Sequence, residues 1–453
     1  MSTSPPTEQV PAEESGAARP PNGSEGRGGN RRFVAWLKRL PKKLALLALS
    51  VLITLAVLEG VFRLFGYRPL YEEYTKPDAF WRHDRVLGWT LKPGAHDEFV
   101  GPAPFPVEFS TSIRVNSLGF RGPEIKDVPP GGRRVVVLGD SQAAGFEVPE
   151  HQTYEAVLQR RLTSALGAQV QVINAGVRGY GTDQELLTYE QRVRQLHPDL
   201  VVLHFSANDS DDDTTLHRTR RPFGKPAFAP RPDGSLRLVG TPVPDYSLCS
   251  AYRLDDSFQV RRVDSLRERS FCWIESRLTD RSALFSFIVT RIRTNPTLLG
   301  WFHGLGTPGD QEAAAPAKPA PKKPTGSAAP SSASTTPPTS EQAESVPATT
   351  APGAATVQGV DYRDALTSRL ILRLASEVQQ DGARLVIVTQ DTDLSGLDVG
   401  AFEREGINIV RVDQALGPNQ NAVRFPNDGH FNARGHRAVA TSLTRPLAYL
   451  LAR

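Results

Sequence analysis

From Arg134 onward the chain alternates short unbroken apolar runs with stretches whose apolar residues recur every three or four positions. Arg134–Leu138, Val170–Asn174, Leu200–Phe205, Arg384–Thr389 and Ile407–Val412 read as strands, rich in Val, Leu and Ile and without polar alternation. Such strands are buried on both faces, as in a parallel sheet covered by helices. Thr153–Leu166 spaces Tyr154, Val157, Leu158 and Leu162 along one helical face, and Gln184–Leu196, Tyr362–Gln380 and Ala433–Leu451 read as further helices. The alternation predicts a three-layer α/β domain over residues 131–453. An insertion, 210–359, interrupts it with irregular sequence and one helix around Ser282–Thr294. Ahead of the domain, residues 66–130 hold many Gly, Pro and aromatic residues, with two-residue alternation in Val107–Phe109 and Ile113–Val115, and predict a small β-rich lead-in region.

One apolar run belongs to neither pattern. Leu44–Leu58 carries no charge, and the apolar character continues past Glu59 and Arg63 to Phe65. A bilayer-spanning helix needs roughly 20 mostly apolar residues, which 44–65 supplies once Glu59 and Arg63, four apart on one face, pair near an interface. Arg31, Arg32, Lys38, Arg39, Lys42 and Lys43 precede the run and no comparable basic cluster follows it. The positive-inside bias therefore predicts a single-pass signal-anchor in the cell inner membrane, with the N-terminus cytoplasmic and the rest periplasmic or extracellular. No small-x-small cleavage site follows the run, which argues against a removed signal peptide.

Composition changes the picture at two places. Residues 1–43 and the tract 307–358 are dominated by Pro, Ala, Ser, Thr, Gly and charge, and cannot bury enough apolar surface to offset their ordering entropy. The formal net charge of +4 calls for no nucleic-acid partner, because much of the basic excess flanks the apolar run, where anionic lipid attracts it. The two cysteines, Cys249 and Cys272, lack metal-ligand spacing and read as a structural disulfide or as two buried thiols.

In open parallel sheets, reactive groups gather beyond the carboxyl ends of the strands. There the sequence places Gly139-Asp140-Ser141, Asn174-Ala175-Gly176, and Ser206-Ala207-Asn208-Asp209, with Asn427-Asp428-Gly429-His430 just before the last helix. These residues form a set suited to acyl transfer. Ser141 needs a base, which His430 can be, and the imidazole needs an acceptor at its other nitrogen, for which Asp428 is nearest. A tetrahedral intermediate needs donors, available in the N–H groups of Ser141 and Gly176 and the side-chain amide of Asn208. No metal or cofactor is called for: Gly176-x-x-Gly179-x-Gly181 lacks the dinucleotide spacing, and Asp209-x-Asp211-x-Asp213 lacks the turn glycine and terminal acid of a calcium loop.

The four blocks, in this order, resemble the SGNH (GDSL-type) hydrolase family, whose name matches Ser141, Gly176, Asn208 and His430. "LGW" at Leu87–Trp89 and "VNSLGFRG" at Val115–Gly122 look like the lead-in of its membrane-anchored bacterial members. The resemblance implies a flavodoxin-like α/β/α sheet and a metal-free serine esterase or acyltransferase mechanism. Three positions depart from the family pattern: Ser206 stands where Gly is usual, Gln142 follows the serine, and Asn427 stands where the family has its Asp, leaving Asp428 two before His430. The latter spacing resembles the alginate O-acetyltransferase branch. Three functions follow. The first is a Ser-His-Asp esterase acting on glycan, cell-wall or lipid esters. The second is an O-acyltransferase beside a polytopic membrane acyl donor. The third, raised by Asn427 and the insertion, is a tethered scaffold without activity.

Overall fold

The protein is described by a computed structural model over residues 28–69, 77–294 and 361–453. The tract 307–358 and residues 1–27 of the expected unstructured N-terminus lie outside the described residues. Residues 28–43, expected to lack structure, instead open a long helix, α1 (Gly28–Leu64). The reason is visible in the spacing of Phe33, Val34, Leu37 and Leu40, which carries a helical period up to the apolar run. Within α1 the segment Lys42–Leu64 is long and apolar enough to cross a membrane, and none of it is buried.

Strands β1 (Trp81–Asp84) and β2 (Gly88–Leu91) form one antiparallel pair, and β3 (His96–Gly101) and β4 (Phe109–Arg114) another. The latter buries alternate residues, including Phe109, Thr111 and Ile113. A parallel sheet of five strands follows. It contains β5 (Arg133–Gly139), β6 (Val170–Asn174) and β7 (Leu200–His204). Within the insertion, β8 (Thr215–His217), β11 (Tyr252–Leu254) and β12 (Val260–Arg262) make a separate small sheet, and β9 (Ala227–Pro230) pairs with β10 (Leu236–Val239). After it, β13 (Arg384–Thr389) and β14 (Asn408–Arg411) complete the main sheet in the order β14-β13-β7-β5-β6. This is the flavodoxin-like order, and its direction of progression reverses between β5 and β7.

Odd and even positions of the strands face different helix layers. Val135, Val137, Val202, Val386 and Val388 pack with α3 (Tyr154–Leu166) and the last helix, Ala433–Leu451, on one side. Val136, Leu138, Val201, Leu203, Leu385 and Ile387 pack on the other with α4 (Thr182–Thr188) and the helix Tyr362–Gln380. Register keeps the layers continuous, since Val136 sits opposite both Val201 and Ile173. Helix α3 starts where Thr153 Oγ1 accepts from Ala156 N, and ends at Gly167 in the left-handed region. The helix expected over Gln184–Leu196 is α-helical only over Thr182–Thr188 and continues as a π turn and a 3₁₀ turn. The insertion also carries α5 (Leu266–Thr279) and α6 (Ala283–Thr294), and a disulfide joins Cys249 to Cys272.

One buried arginine of the lead-in region reaches the turn at the head of the sheet. Arg121, 5% exposed, donates from Nη1 to Ala144 O at 2.6 Å and also to Gly145 O, and from Nη2 to Val148 O at 2.6 Å. Those carbonyls belong to the turn just beyond β5. Burial lowers its pKa to about 10, so the guanidinium stays charged at neutral pH. Arg121→Met should leave these carbonyls without a donor and lower stability by on the order of 3 kcal/mol. Thermal unfolding of the full chain checks this, and an unchanged midpoint would show that the turn holds without the guanidinium.

Candidate active site

The reversal between β5 and β7 opens a crevice at the carboxyl edge of the sheet. Gly139 ends β5, and Asp140 caps the one-turn helix α2 (Ser141–Ala144), its carboxylate accepting from Gln142 N at 2.8 Å. Ser141 thus sits at the first position of the turn, where its N–H has no helical partner. His430 arrives from the other end of the chain, on the loop before the last helix. Its Nε2 lies 2.8 Å from Ser141 Oγ, and its Nδ1 lies 2.5 Å from Asp428 Oδ1. Asp428 Oδ1 also accepts from the His430 N–H at 3.2 Å, so the short Asp-x-His spacing closes a local turn that aims the carboxylate at the ring. Asn427 faces away: its Nδ2 donates to Glu108 Oε1 at 2.8 Å, and its N–H lies 3.2 Å from both Glu108 oxygens. That side chain belongs to the lead-in region, which therefore anchors the histidine loop as well as the serine turn.

A second carboxylate, unforeseen in the sequence, reaches the same imidazole. Glu147 Oε1 lies 3.5 Å from His430 Nδ1, is almost fully buried, and forms an ion pair with Arg178. Burial by itself pulls the His430 pKa down. The charge of Glu147 and the hydrogen bond and charge of Asp428 outweigh that and the opposing Arg178, leaving it above the ordinary histidine value. Burial pushes the Asp428 carboxyl up, but the hydrogen bond and charge of His430, with Arg178, hold it below the usual range. Two other histidines lie nearby without competing for the role. His204 Nδ1 meets Tyr154 Oη at 3.1 Å, and His436 Nδ1 accepts from Tyr154 N at 3.2 Å. Burial takes their pKa values down to about 4 and about 3, so both remain neutral.

Asn208 follows β7 and points its amide into the crevice. Nδ2 donates to Asp212 Oδ2 at 3.0 Å and lies 3.4 Å from both Asp140 Oδ2 and Asp209 Oδ1. Ser206, at the usual glycine position, donates its N–H to Asp209 Oδ2 at 2.9 Å. Gly176 requires a correction. Its N–H, expected to face an oxyanion, is donated to Asn174 Oδ1 at 3.0 Å, while Asn174 Nδ2 donates to Ala143 O at 2.8 Å. A Cβ at Gly176 would stand 2.6 Å from Ala144 N, so this glycine lets the loop pack beneath the serine turn. Gly179, three residues on and at φ +78°, lines the cavity instead. Among the described residues, neither its N–H nor that of Ser141 makes a backbone hydrogen bond. The signal available in the sequence was position: Gly176 abuts the strand end, and Gly179 lies further along the loop.

These groups open into a cavity of about 310 Å³. Trp81, Trp89 and Phe223 supply aromatic walls, and the stretch Thr215–Arg218 of the insertion supplies another side. The irregular part of the sequence thus shapes the cavity. Donor atoms of Glu147, Asp428 and His430 lie within 4.8 Å of one another, the one grouping among the described residues that could hold an ion. Each of them already has a partner in the contacts above.

Residues 137–268 match the family described as GDSL-like Lipase/Acylhydrolase. An arylesterase of Vibrio mimicus is 36% identical over 76 residues, which cover 17% of this chain and 38% of the arylesterase. Among solved structures, TesA has 12% identity and a TM-score of 0.34, covering 70% of this chain and 99% of its own. A catalytic mutant of Axe2, an acetylxylan esterase from Geobacillus stearothermophilus, has 10% identity and a TM-score of 0.30, covering 69% and 93%. The family match takes in the Ser141, Gly179 and Asn208 blocks and ends before Asp428 and His430.

The two-carboxylate arrangement makes a signed prediction. Labelling of Ser141 by a fluorophosphonate should rise with pH as His430 loses its proton, with a midpoint above the ordinary value of about 6.5. Glu147→Gln removes the largest charge raising that pKa and leaves Arg178 opposing it, so the midpoint should move to lower pH. An unmoved midpoint would mean that the Glu147 charge is not felt at the imidazole.

Proposed function

We propose that the protein is a membrane-anchored serine esterase of the SGNH type, acting outside the cytoplasm on acyl esters of glycans, cell-wall polymers or lipids. The observation that carries this reading is the unbroken line Ser141 Oγ, His430 Nε2, His430 Nδ1, Asp428 Oδ1 opening into an aromatic-walled cavity. His430 takes the Ser141 proton as Oγ attacks the ester carbonyl carbon. Asp428, seconded by Glu147, stabilises the imidazolium that forms. The carbonyl oxygen, now an oxyanion, is met by the N–H groups of Ser141 and Gly179 and by Asn208 Nδ2. His430 then protonates the leaving alkoxide, and a water activated by the same imidazole releases the acid from the acyl-serine.

Trp81, Trp89 and Phe223 in the lining beside the serine support a sugar-ring substrate over a long acyl chain. A sugar hydroxyl in place of the second water would make the same site an O-acyltransferase, working beside a polytopic membrane acyl donor. The assembled charge line speaks for chemistry rather than for an inactive scaffold. The basic cluster before the apolar segment of α1 supports a cytoplasmic N-terminus and an inner-membrane anchor. The Cys249–Cys272 disulfide fits an oxidising compartment beyond it.

The test is hydrolysis of p-nitrophenyl acetate by the full chain in detergent. Ser141→Ala should lose both turnover and fluorophosphonate labelling, and turnover that persists without Ser141 would overturn the reading. Asn208→Ala should cost about 10²–10³-fold in kcat, the usual effect of losing one oxyanion donor. Acetyl transfer to added oligosaccharide, in excess of hydrolysis, would move the assignment from esterase to transferase.

A further inference from the structure

Helix α5 is built inside out. The side it turns to the protein is polar or small: Cys272 is bonded to Cys249, Glu275 pairs with Arg220 at 3.0 Å, and Ser276 and Thr279 are buried. Its large apolar side chains face outward, with Leu266 76%, Trp273 56%, Ile274 51%, Phe271 49% and Leu278 44% exposed. They fall on two adjacent ridges of one face, Leu266 with Trp273, and Phe271 with Ile274 and Leu278. A soluble domain gains nothing from such a face in water, and contiguous apolar patches of this kind mark contact surfaces. The helix is no frayed end: Ser265 and Glu268 cap it reciprocally, and the disulfide fixes its buried side.

Two observations indicate what covers the face. The first is position. Arg63, in the last turn of α1, donates from Nη2 to Arg281 O at 2.8 Å, two residues beyond the end of α5. Phe62 and Tyr67 pack on Phe287 of α6 with ring centroids 5.2 and 5.3 Å apart. The apolar face therefore lies close to the point where the membrane-crossing segment ends. The second is charge. Arg267 and Arg277 are exposed on the same outward side, Arg277 between the two ridges with its guanidinium 4.1 Å above the Trp273 ring, and Arg281 is exposed just beyond the helix end. Tryptophan, leucine and isoleucine interspersed with arginines, whose long stems reach up to phosphates while their apolar neighbours go deeper, suit a helix lying in a headgroup layer.

We propose that α5 is a second membrane contact, lying along the surface of the bilayer that α1 crosses, its apolar ridges at the acyl boundary and its arginines at lipid phosphates. It rests on the anchor reading above, and adds that the catalytic domain is held against the bilayer in a fixed attitude instead of swinging on one helix. Two contacts, one spanning and one interfacial, define an orientation that a single span leaves free.

The test reconstitutes the full chain in vesicles of phosphatidylcholine and phosphatidylglycerol, with and without acyl-chain bromination, and compares wild type with Trp273→Phe. Bromination should quench a component of the emission that the variant lacks, and aqueous iodide should leave that component unquenched. If the Trp273 component is quenched by iodide and not by bromolipid, the face is in water and the docking is overturned. If neither quencher reaches it, protein covers the face, whether a second copy or another part of this chain, and the proposal fails equally. Alkaline carbonate separates the two readings: release of wild type from the vesicles overturns the anchor itself, whereas retention with an unquenched Trp273 overturns only the docking.

Discussion

The buried guanidinium of Arg121 is the contact on which the site depends. A helix of one turn cannot satisfy its own carbonyls, and α2 ends at Gly145 in the left-handed region, with its C-terminal oxygens turned into the protein. Arg121 takes the carbonyls of Ala144, Gly145 and Val148, a fork of donors matched to a fan of acceptors. It comes from the lead-in region and not from the sheet domain it completes. Glu108, from the same region, holds Asn427 at the base of the histidine loop. Ser141 and His430 are 289 positions apart in sequence, and both are braced by one small β-rich segment.

The electrostatics around His430 follow from the same crowding. A buried imidazole ordinarily loses basicity, as His204 and His436 do. His430 escapes because Asp428 and Glu147 both face its Nδ1 side, while Arg178 keeps Glu147 from standing as an isolated buried charge. Asn208 is treated alike from the other wall, its amide held by Asp212. The insertion adds the remaining side of the cavity through Thr215–Arg218, so the cavity's shape is set in part by chain that does not belong to the sheet.

Much of this architecture was legible along the chain. Five apolar runs predict the five parallel strands, because a strand covered on both faces has no polar side to show. Ser141 and Asn208 could be picked out because the ends of such strands are where the fold leaves backbone open, and His430 because its block stands just before the last helix. Asp428 could be picked out because its contact with His430 is local, two residues away. What escaped was set by contacts distant in sequence. Gly176 and Gly179 both stand in "NAGVRGYG" after the strand, and the capture of the Gly176 N–H by Asn174 decides between them. Nothing local marks Glu147 and Arg178, which the folded chain buries together as an ion pair.

The sequence by itself determined the layered sheet, the apolar helix and the identity of the groups at the strand ends, since burial period and strand-end position are properties of consecutive residues. Tertiary structure decided which backbone amide faces the cavity, that a second carboxylate leans on His430, that Cys249 and Cys272 are joined, and that α5 turns its apolar side outward. Each of those depends on which neighbour, often a hundred residues or more away, takes a donor, a charge or a face first, and no local pattern records that competition.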